Sequence, residues 1–335
     1  ANKEGRVLTG SLQEDEYILE STIESLVQFV YKDPKSLDVH SILPFLDFNS
    51  YSKDYDVDSY ILVYVLKILA VVSFHNAKFI PIDEVLRLTH DYRPHVRYNA
   101  TDLAGNWCLV MKNNEYMHKI KEMMIFDDDT DVRDMAVDSV ADYILTMAEN
   151  ENTEFTHSVL EYVLEYLNGE NETYAENASE AIKFILVHDL PEKLFNEIIE
   201  NVLKIFRVVR NDEVFCDLVD LFAKLAEKGT YDLNPNDIQL IKHKMKNGTA
   251  YVKSRLLWTI PIFSEIDTVN VIHEIKALLN DKVSEVRYNA LFALSKMGTR
   301  SQTVARNVIE ILLEKYDSLD KDQNSVEMEL IFEAF

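Results

Sequence analysis

Asp127, Asp129 and Asp131 stand at alternate positions, the spacing of the first three ligands of a calcium-binding loop. Such a loop also needs glycine at its sixth position and a bidentate glutamate at its twelfth, where this sequence has Val132 and Asp138. The three carboxylates read instead as the start of a helix, whose unpaired N–H groups favour negative charge. His90 and His95 flank Asp91, and a weak metal site there stays open, but chance neighbours in a short connection are the simpler reading. No G-x-G-x-x-G, G-K-[ST], C-x-x-C, H-E-x-x-H or G-x-S-x-G string occurs, so phosphate-cradling, zinc and serine-hydrolase chemistry find no support. The expectation is a chain with no catalytic residue, no metal and no cofactor.

The elements that carry these residues repeat. In the stretch Asp281–Gly298, Val286, Ala290, Leu294 and Met297 fall on one helical face, and Asp281 stands six residues ahead of Arg287. The string VRYNA occurs at Val96–Ala100 and again 190 residues later at Val286–Ala290. Asp91 precedes Arg97 by six residues and Asp127 precedes Arg133 by six, so one supersecondary unit is copied along the chain. Tyr60, Val96, Val132, Tyr174, Val214, Val252 and Val286 each open an apolar pattern that continues at plus four and plus eight, at intervals of 36, 36, 42, 40, 38 and 34 residues.

Between these markers lie earlier amphipathic segments: Ile82–Leu88, Tyr116–Met124, Thr156–Leu167, Glu192–Phe206, Pro235–Met245 and Thr268–Leu279. Pro81, Asp129, Pro191 and the pair Asn234–Pro235 mark helix starts, and most of the seven glycines stand where helices end. No strand alternation or hairpin turn chemistry is present. The fold expected is all-α, a right-handed solenoid of seven to eight antiparallel helix pairs. It is read as a single array over 1–335, with 1–50 as the N-terminal cap and first helices (one helix near Asp15–Tyr31) and 51–335 as stacked repeats. An eighth copy is expected near Val326, and Ser325–Phe335 reads as the start of a further helix, so the chain is expected to be part of a longer array.

The Asp, the Val-Arg pair beginning five residues later and the Ala four residues past that Val resemble the HEAT-repeat pattern. It is clearest at Asp91/Val96/Arg97/Ala100, Asp127/Val132/Arg133/Ala136 and Asp281/Val286/Arg287/Ala290, and softer at Asn247/Val252/Lys253. The resemblance spans nearly the whole chain. It implies that Asp91, Arg97, Asp127, Arg133, Asp281 and Arg287 form a structural ladder between successive units. It also implies intracellular roles, cytoplasmic or nuclear, such as transport, chromatin organisation, phosphatase scaffolding or chaperoning of basic clients. Two enzyme classes share this kind of fold. The di-iron hydroxylases need several His-Glu pairs, whereas this chain has only His273-Glu274. The DNA base glycosylases need a basic concave face and a carboxylate near aromatics, for which Trp107, Trp258, Asp102 and Asp138 supply the residue types.

Charge weighs against that second class. The chain carries 34 Lys and Arg against 58 Asp and Glu, a formal net charge of −24, which repels phosphates and anionic membranes and attracts basic partners. The longest apolar run, Tyr60–Phe74, holds 15 residues around Lys67 and reads as too short and too polar to span a bilayer. Cys108 and Cys216 lie far apart within helical patterns and read as core thiols. The sequons at Asn99, Asn171, Asn177 and Asn247 read as chance matches.

In stacked helix pairs the second helices line one surface, and equivalent positions form columns along it. Six residues past each marker stand Leu66, Asp102, Asp138, Glu180, Asp220, Trp258 and Phe292; two past stand Leu62, Tyr98, Asp134, Glu176, Cys216, Ser254 and Tyr288, with Asp142 extending the face. The expectation is a non-catalytic scaffold or adaptor that holds a basic protein segment. Its cations would sit on Asp102, Asp134, Asp138, Asp142, Glu176, Glu180 and Asp220, and its aliphatic stems on Tyr98, Trp258, Tyr288 and Phe292. The alternative is an enzyme on the same fold, glycosylase-like or metal-dependent. Direct nucleic-acid binding and membrane association are not expected.

Overall fold

A computed structural model describes residues 21, 25, 28–30, 32–33, 39–46, 56–149, 154–188, 190–263, 268–299, 301–319, 329 and 331. The expected helix near Asp15–Tyr31 falls largely outside these residues, as do the copy expected near Val326 and most of Ser325–Phe335. Among the described residues there is no strand. The α-helices are α1 (Asp56–Asn76), α2 (Ile82–Leu88), α3 (Pro94–Met111), α4 (Asn114–Phe126), α5 (Thr130–Glu149), α6 (Glu154–Leu167), α7 (Glu172–Val187), α8 (Glu192–Phe206), α9 (Asp212–Glu227), α10 (Pro235–Asn247), α11 (Ala250–Thr259), α12 (Thr268–Leu278), α13 (Ser284–Gly298) and α14 (Gln302–Ser318). The chain divides into two compact units, Ala1–Val163 and Leu164–Phe335, with the boundary inside α6.

Local chemistry accounts for where the helices begin. The side chains of Asn113, Asn171, Asn211, Asn234, Thr249 and Ser301 each accept a backbone N–H from the first turn that follows, satisfying donors that the helix itself cannot. Asp129 does the same, its Oδ1 accepting Val132 N–H at 3.3 Å. Pro94 and Pro235 occupy first-turn positions where no N–H is missed. Beyond the end of α9 the chain turns through Gly229 at φ +69°, a left-handed conformation that glycine adopts without strain.

In the first unit α1 packs on α3, and α3 on α5, while α2 packs on α3 and α4 on both α3 and α5. Val96, Ala100, Leu103 and Ala104 of α3 and Val132, Ala136 and Val140 of α5 are fully buried, so the apolar stripe read from the sequence is the core. Gly105 lets α3 and α5 approach closely: a Cβ there would lie 2.4 Å from Ser139 Oγ and 2.6 Å from Ser139 Cβ. The window Leu62–Phe79, with mean hydropathy 1.4, is long and apolar enough to cross a membrane by length and composition, a longer stretch than the run counted in the sequence. In the structure Leu62, Leu66, Leu69 and Val72 are fully buried and α1 packs on α3, so the apolar character of this helix serves the core.

The second unit repeats the arrangement, with α7 on α9, α9 on α11 and α11 on α13. Val214, Val252 and Val286 are fully buried, as are Ala290 and Leu294. Tyr174 is part-exposed and meets Tyr166 edge to face at 6.2 Å, while Ala178 and Ile182 keep the register beneath it.

The Asp and Arg of the repeated word have defined partners. Oδ1 of Asp91, Asp127 and Asp281 accepts the backbone N–H two residues on, from Arg93, Asp129 and Val283, at 2.9, 3.0 and 3.0 Å. The carbonyl oxygens of the same three residues accept Nη1 of Arg97, Arg133 and Arg287, each at 3.0 Å. Each Asp therefore shapes the turn and holds the Arg of its own helix.

The rung itself joins one repeat to the next. Arg97 donates from Nε and Nη2 to the two oxygens of Asp127 at 2.9 and 2.7 Å, and Nη2 also reaches Asp128; Lys253 donates to Asp281 at 2.8 Å. Arg133 has only Asp127 O and Thr130 Oγ1, and its Nε has no partner among the described residues. Outer helices of the second unit carry a second series that no repeated word announces. Arg207 makes a two-pronged pair with the buried Asp237 at 2.7 and 2.8 Å, Lys242 lies 3.5 Å from Glu274, and Lys276 meets Glu314.

Candidate functional site

The acidic positions of the first unit surround the close approach of α3 and α5. Asp102, Asp138 and Asp142, with Asn106, line a cleft of about 250 Å³ whose apolar walls are Leu109 and Met135. Asp102 is part-buried and accepts Asn106 Nδ2 at 2.9 Å; burial pushes its carboxyl above the usual carboxylate range, against the pull of Asn106 and Lys67. Tyr98 lies on the same face, its phenol pushed up by burial and then by Asp102, Asp138, Asp131 and Asp134. Asp134 and Asp142 are exposed. The structure thus brings Tyr98, Asp102, Asp134, Asp138 and Asp142 onto one face, as the register predicts. A larger cleft of about 920 Å³ adjoins it, lined by Phe29, Lys32, Tyr64 and Lys67 together with Tyr98 and Asp102, and mixes both signs of charge.

In the second unit Glu180 is exposed on α7, and Glu176 accepts Asn211 Nδ2 at 3.4 Å. Asp220 is part-buried and is engaged by a residue the sequence reading did not single out. Arg255 of α11 donates from Nη2 to Asp217 Oδ1 at 3.1 Å and to Asp220 Oδ2. Arg255 Nη1 donates to Tyr251 Oη at 2.6 Å, and Tyr251 Oη in turn donates to Glu213. Asp217 also accepts Ser179 Oγ at 2.7 Å and lies 4.0 Å from Lys183 Nζ. Burial raises the Asp220 carboxyl against the pull of Arg255, and burial works against the Arg255 charge while Asp220 and Asp217 hold it above the ordinary arginine range.

One turn past Arg255, Trp258 is 52% exposed and packs on Phe292 of α13 with ring centroids 4.0 Å apart. Lys296 Nζ sits 5.3 Å from the Phe292 centroid, and Tyr288 is part-exposed on the same helix. The remaining members of the two columns are not surface. Leu62, Leu66 and Cys216 are fully buried and Ser254 is nearly so, because α1 packs on α3 and because α9 and α11 each have a second helix on both sides.

Trp107 is buried, its Nε1 donating to Ala77 O at 2.8 Å, so it offers no face for stacking on a base. Burial pushes the thiols of Cys108 and Cys216 up to about 12. Among the described residues no group of three or more His, Cys, Asp or Glu is placed to hold a metal. Asp127 spends its carboxylate on Arg97 and the backbone of Asp129.

No protein-family model matches the sequence, and no curated protein matches it. Solved structures match the fold. In a Kap95–Nup1 complex the alignment has TM-score 0.64 at 12% identity and covers 98% of this chain and 45% of that one. Karyopherin Kap121p bound to the extreme C-terminus of the protein phosphatase Cdc14p gives 0.61 at 13%, over 98% of this chain and 42% of that one. Yeast importin-beta, Kap95p, gives 0.57 at 12%, over 88% and 40%. The fold is that of the HEAT-repeat α-solenoids, the class the repeated Asp and Val-Arg word implied. The chain spans less than half the length of the karyopherins it matches.

Proposed function

We propose that this chain is a non-catalytic scaffold or adaptor that binds a basic protein segment on the acidic faces of its second helices. The observation that carries the reading is the cleft between α3 and α5. Three carboxylates, Asp102, Asp138 and Asp142, converge there on a slot with Leu109 and Met135 as walls, a seat for a cationic head on an aliphatic stem. The net charge of −24 favours encounter with such a partner, and an intracellular setting belongs to the same reading. A karyopherin of this fold binding the extreme C-terminus of a phosphatase supports the idea that such an array can hold a chain segment.

The test uses a fluorescein-labelled nona-arginine peptide and anisotropy titration of the whole chain. Asp102→Lys with Asp138→Lys weakens binding by a factor on the order of ten to a hundred, one to two charged contacts at about tenfold each, and flattens its salt dependence. Unchanged affinity in a double variant whose circular dichroism matches the parent would place the peptide elsewhere and sink the proposal.

A further inference from the structure

Ion pairs between successive second helices run in a common direction. Arg97 of α3 reaches forward to Asp127 before α5, Lys183 of α7 reaches forward to Asp217 of α9, and Lys253 of α11 reaches forward to Asp281 before α13. Arg255 runs the other way. It leaves α11, whose forward rung Lys253 already supplies, and turns back to Asp217, which Ser179 and Lys183 already engage from the preceding helix. Its guanidinium is therefore surplus to the ladder. It lies on the exposed arc, its side chain 31% accessible, and bridges Asp217 and Asp220, with Tyr251 bound to its other amino group.

We infer that Arg255 is an internal occupant of the seat that an arginine of an incoming basic segment takes on the second unit, so that binding there proceeds by exchange of one guanidinium for another. The inference rests on the reading of the second-helix faces as sites for basic segments. The chemistry follows from the two amino groups: Nη2 meets both carboxylates while Nη1 holds Tyr251 and lies 3.6 Å from Glu213, a planar spread of donors that the single nitrogen of an ammonium does not cover. Trp258, one turn further along α11 and half exposed, offers its ring to the stem or the next cation of the same segment. While Arg255 is seated, the pair Asp217 and Asp220 presents little free charge; once it swings out, Asp220 and Oδ1 of Asp217 are open to a ligand that supplies the same group, while Ser179 keeps Oδ2 of Asp217. The second unit is thereby selective for arginine over lysine, and its affinity is held down by its own side chain.

The experiment compares Arg255→Gln with Lys246→Gln, which removes the same charge from an exposed position on α10. Labelled nona-arginine and nona-lysine peptides are titrated by anisotropy against each full chain. Arg255→Gln should tighten nona-arginine by about tenfold, the worth of one recovered charged hydrogen bond, and nona-lysine by less than about threefold, with Lys246→Gln within about twofold of the parent. Arg255→Lys keeps the charge and loses the fork, and should tighten nona-arginine by about threefold. If Arg255→Gln does not fold, this variant carries the test. Equal or weaker nona-arginine binding in a natively melting Arg255 variant, while Asp102→Lys with Asp138→Lys still weakens binding, would make Arg255 a structural tie and overturn the inference alone. Failure of the parent and of every variant to bind nona-arginine would remove the basic-segment reading and this inference with it.

Discussion

Removing the Arg97 rung should cost far more than removing the same residue type one repeat later. Arg97 is buried with its side chain 9% exposed, against 7% for Asp127, and its fork closes on both carboxylate oxygens at 2.9 and 2.7 Å. Among the described residues Arg97→Ala leaves the Asp127 carboxylate buried with only the Asp129 N–H for company, and stranding one partner of a buried pair costs about 3–5 kcal/mol. Arg133 makes the same bond to the Asp carbonyl but has only a carbonyl and a hydroxyl as partners among the described residues, so Arg133→Ala should cost about 1 kcal/mol. The assay is urea unfolding followed by fluorescence of the buried Trp107, in a Trp258→Phe background so that the signal reports the first unit. At a urea slope of about 2 kcal/mol/M, the Arg97 variant's midpoint falls by about 1.5–2.5 M and the Arg133 variant's by about 0.5 M. Equal shifts, or an Arg97 cost below about 1 kcal/mol, would refute the claim that the carboxylate rung, rather than the shared carbonyl bond, is the stabilising contact.

Gly105→Ala should destabilise the first unit by about 1–3 kcal/mol, because the new Cβ collides with Ser139 Oγ and Cβ; adding Ser139→Gly should restore part of the loss in the same urea assay, and no restoration would mean that the strain lies elsewhere. Stability should also fall in acid through two named carboxylates. The Lys253 hydrogen bond holds the Asp281 carboxyl below its ordinary 3.8, and at Asp91 burial pushes upward but the Arg93 hydrogen bonds and charge more than offset it. Their folded values lie below their unfolded ones, so their contribution is complete above the unfolded value and is lost as pH drops through the folded value. Asp281→Asn should flatten that acid limb in a urea midpoint series from pH 5 to 2, and an identical acid limb in the variant would contradict the assignment.

The parts of the fold that were readable in the sequence are those that depend on period and on local caps. Ile82–Leu88 and Glu192–Phe206 begin and end where the apolar pattern and Pro81 or Pro191 place them. The repeated Asp and Arg could be assigned to a ladder, but no string says that Arg97 takes the carboxylate of Asp127 and the carbonyl of Asp91; stacking decides that. The outer pairs Arg207–Asp237 and Lys242–Glu274 share no common word and became visible only when the outer helices were set side by side.

The candidate surface was half legible. Periodicity put Asp102, Asp138, Glu180, Trp258 and Phe292 on the accessible side, yet it also put Leu66 and Cys216 there, because a helical wheel does not know how much of each helix its neighbours cover. A column relates Asp220 only to its equivalents and carries no sign of the cation that holds it. Its partner, Arg255, stands three residues past a marker on the following helix, in a place that no column included.

The Asp of the repeated word has a consequence for how such a chain can lengthen. Asp127 gives its carboxylate to the Arg of the preceding repeat and its carbonyl to the Arg of its own. A copy of the 36 residues from Asp91 to Phe126, inserted before Asp127, would begin with an Asp placed to meet the original Arg97 and carry at its seventh position an Arg whose fork meets Asp127. The joint at Asp127 would be regenerated as it stands, while at the other joint Arg93, which holds both oxygens of Asp91 at 2.8 and 3.0 Å, would share that carboxylate with the incoming Arg. Growth by whole repeats therefore keeps the Asp127 rung intact, whereas a cut one turn off register strands its buried charges. VRYNA can consequently recur nearly unchanged far down the chain while the helices between its copies drift.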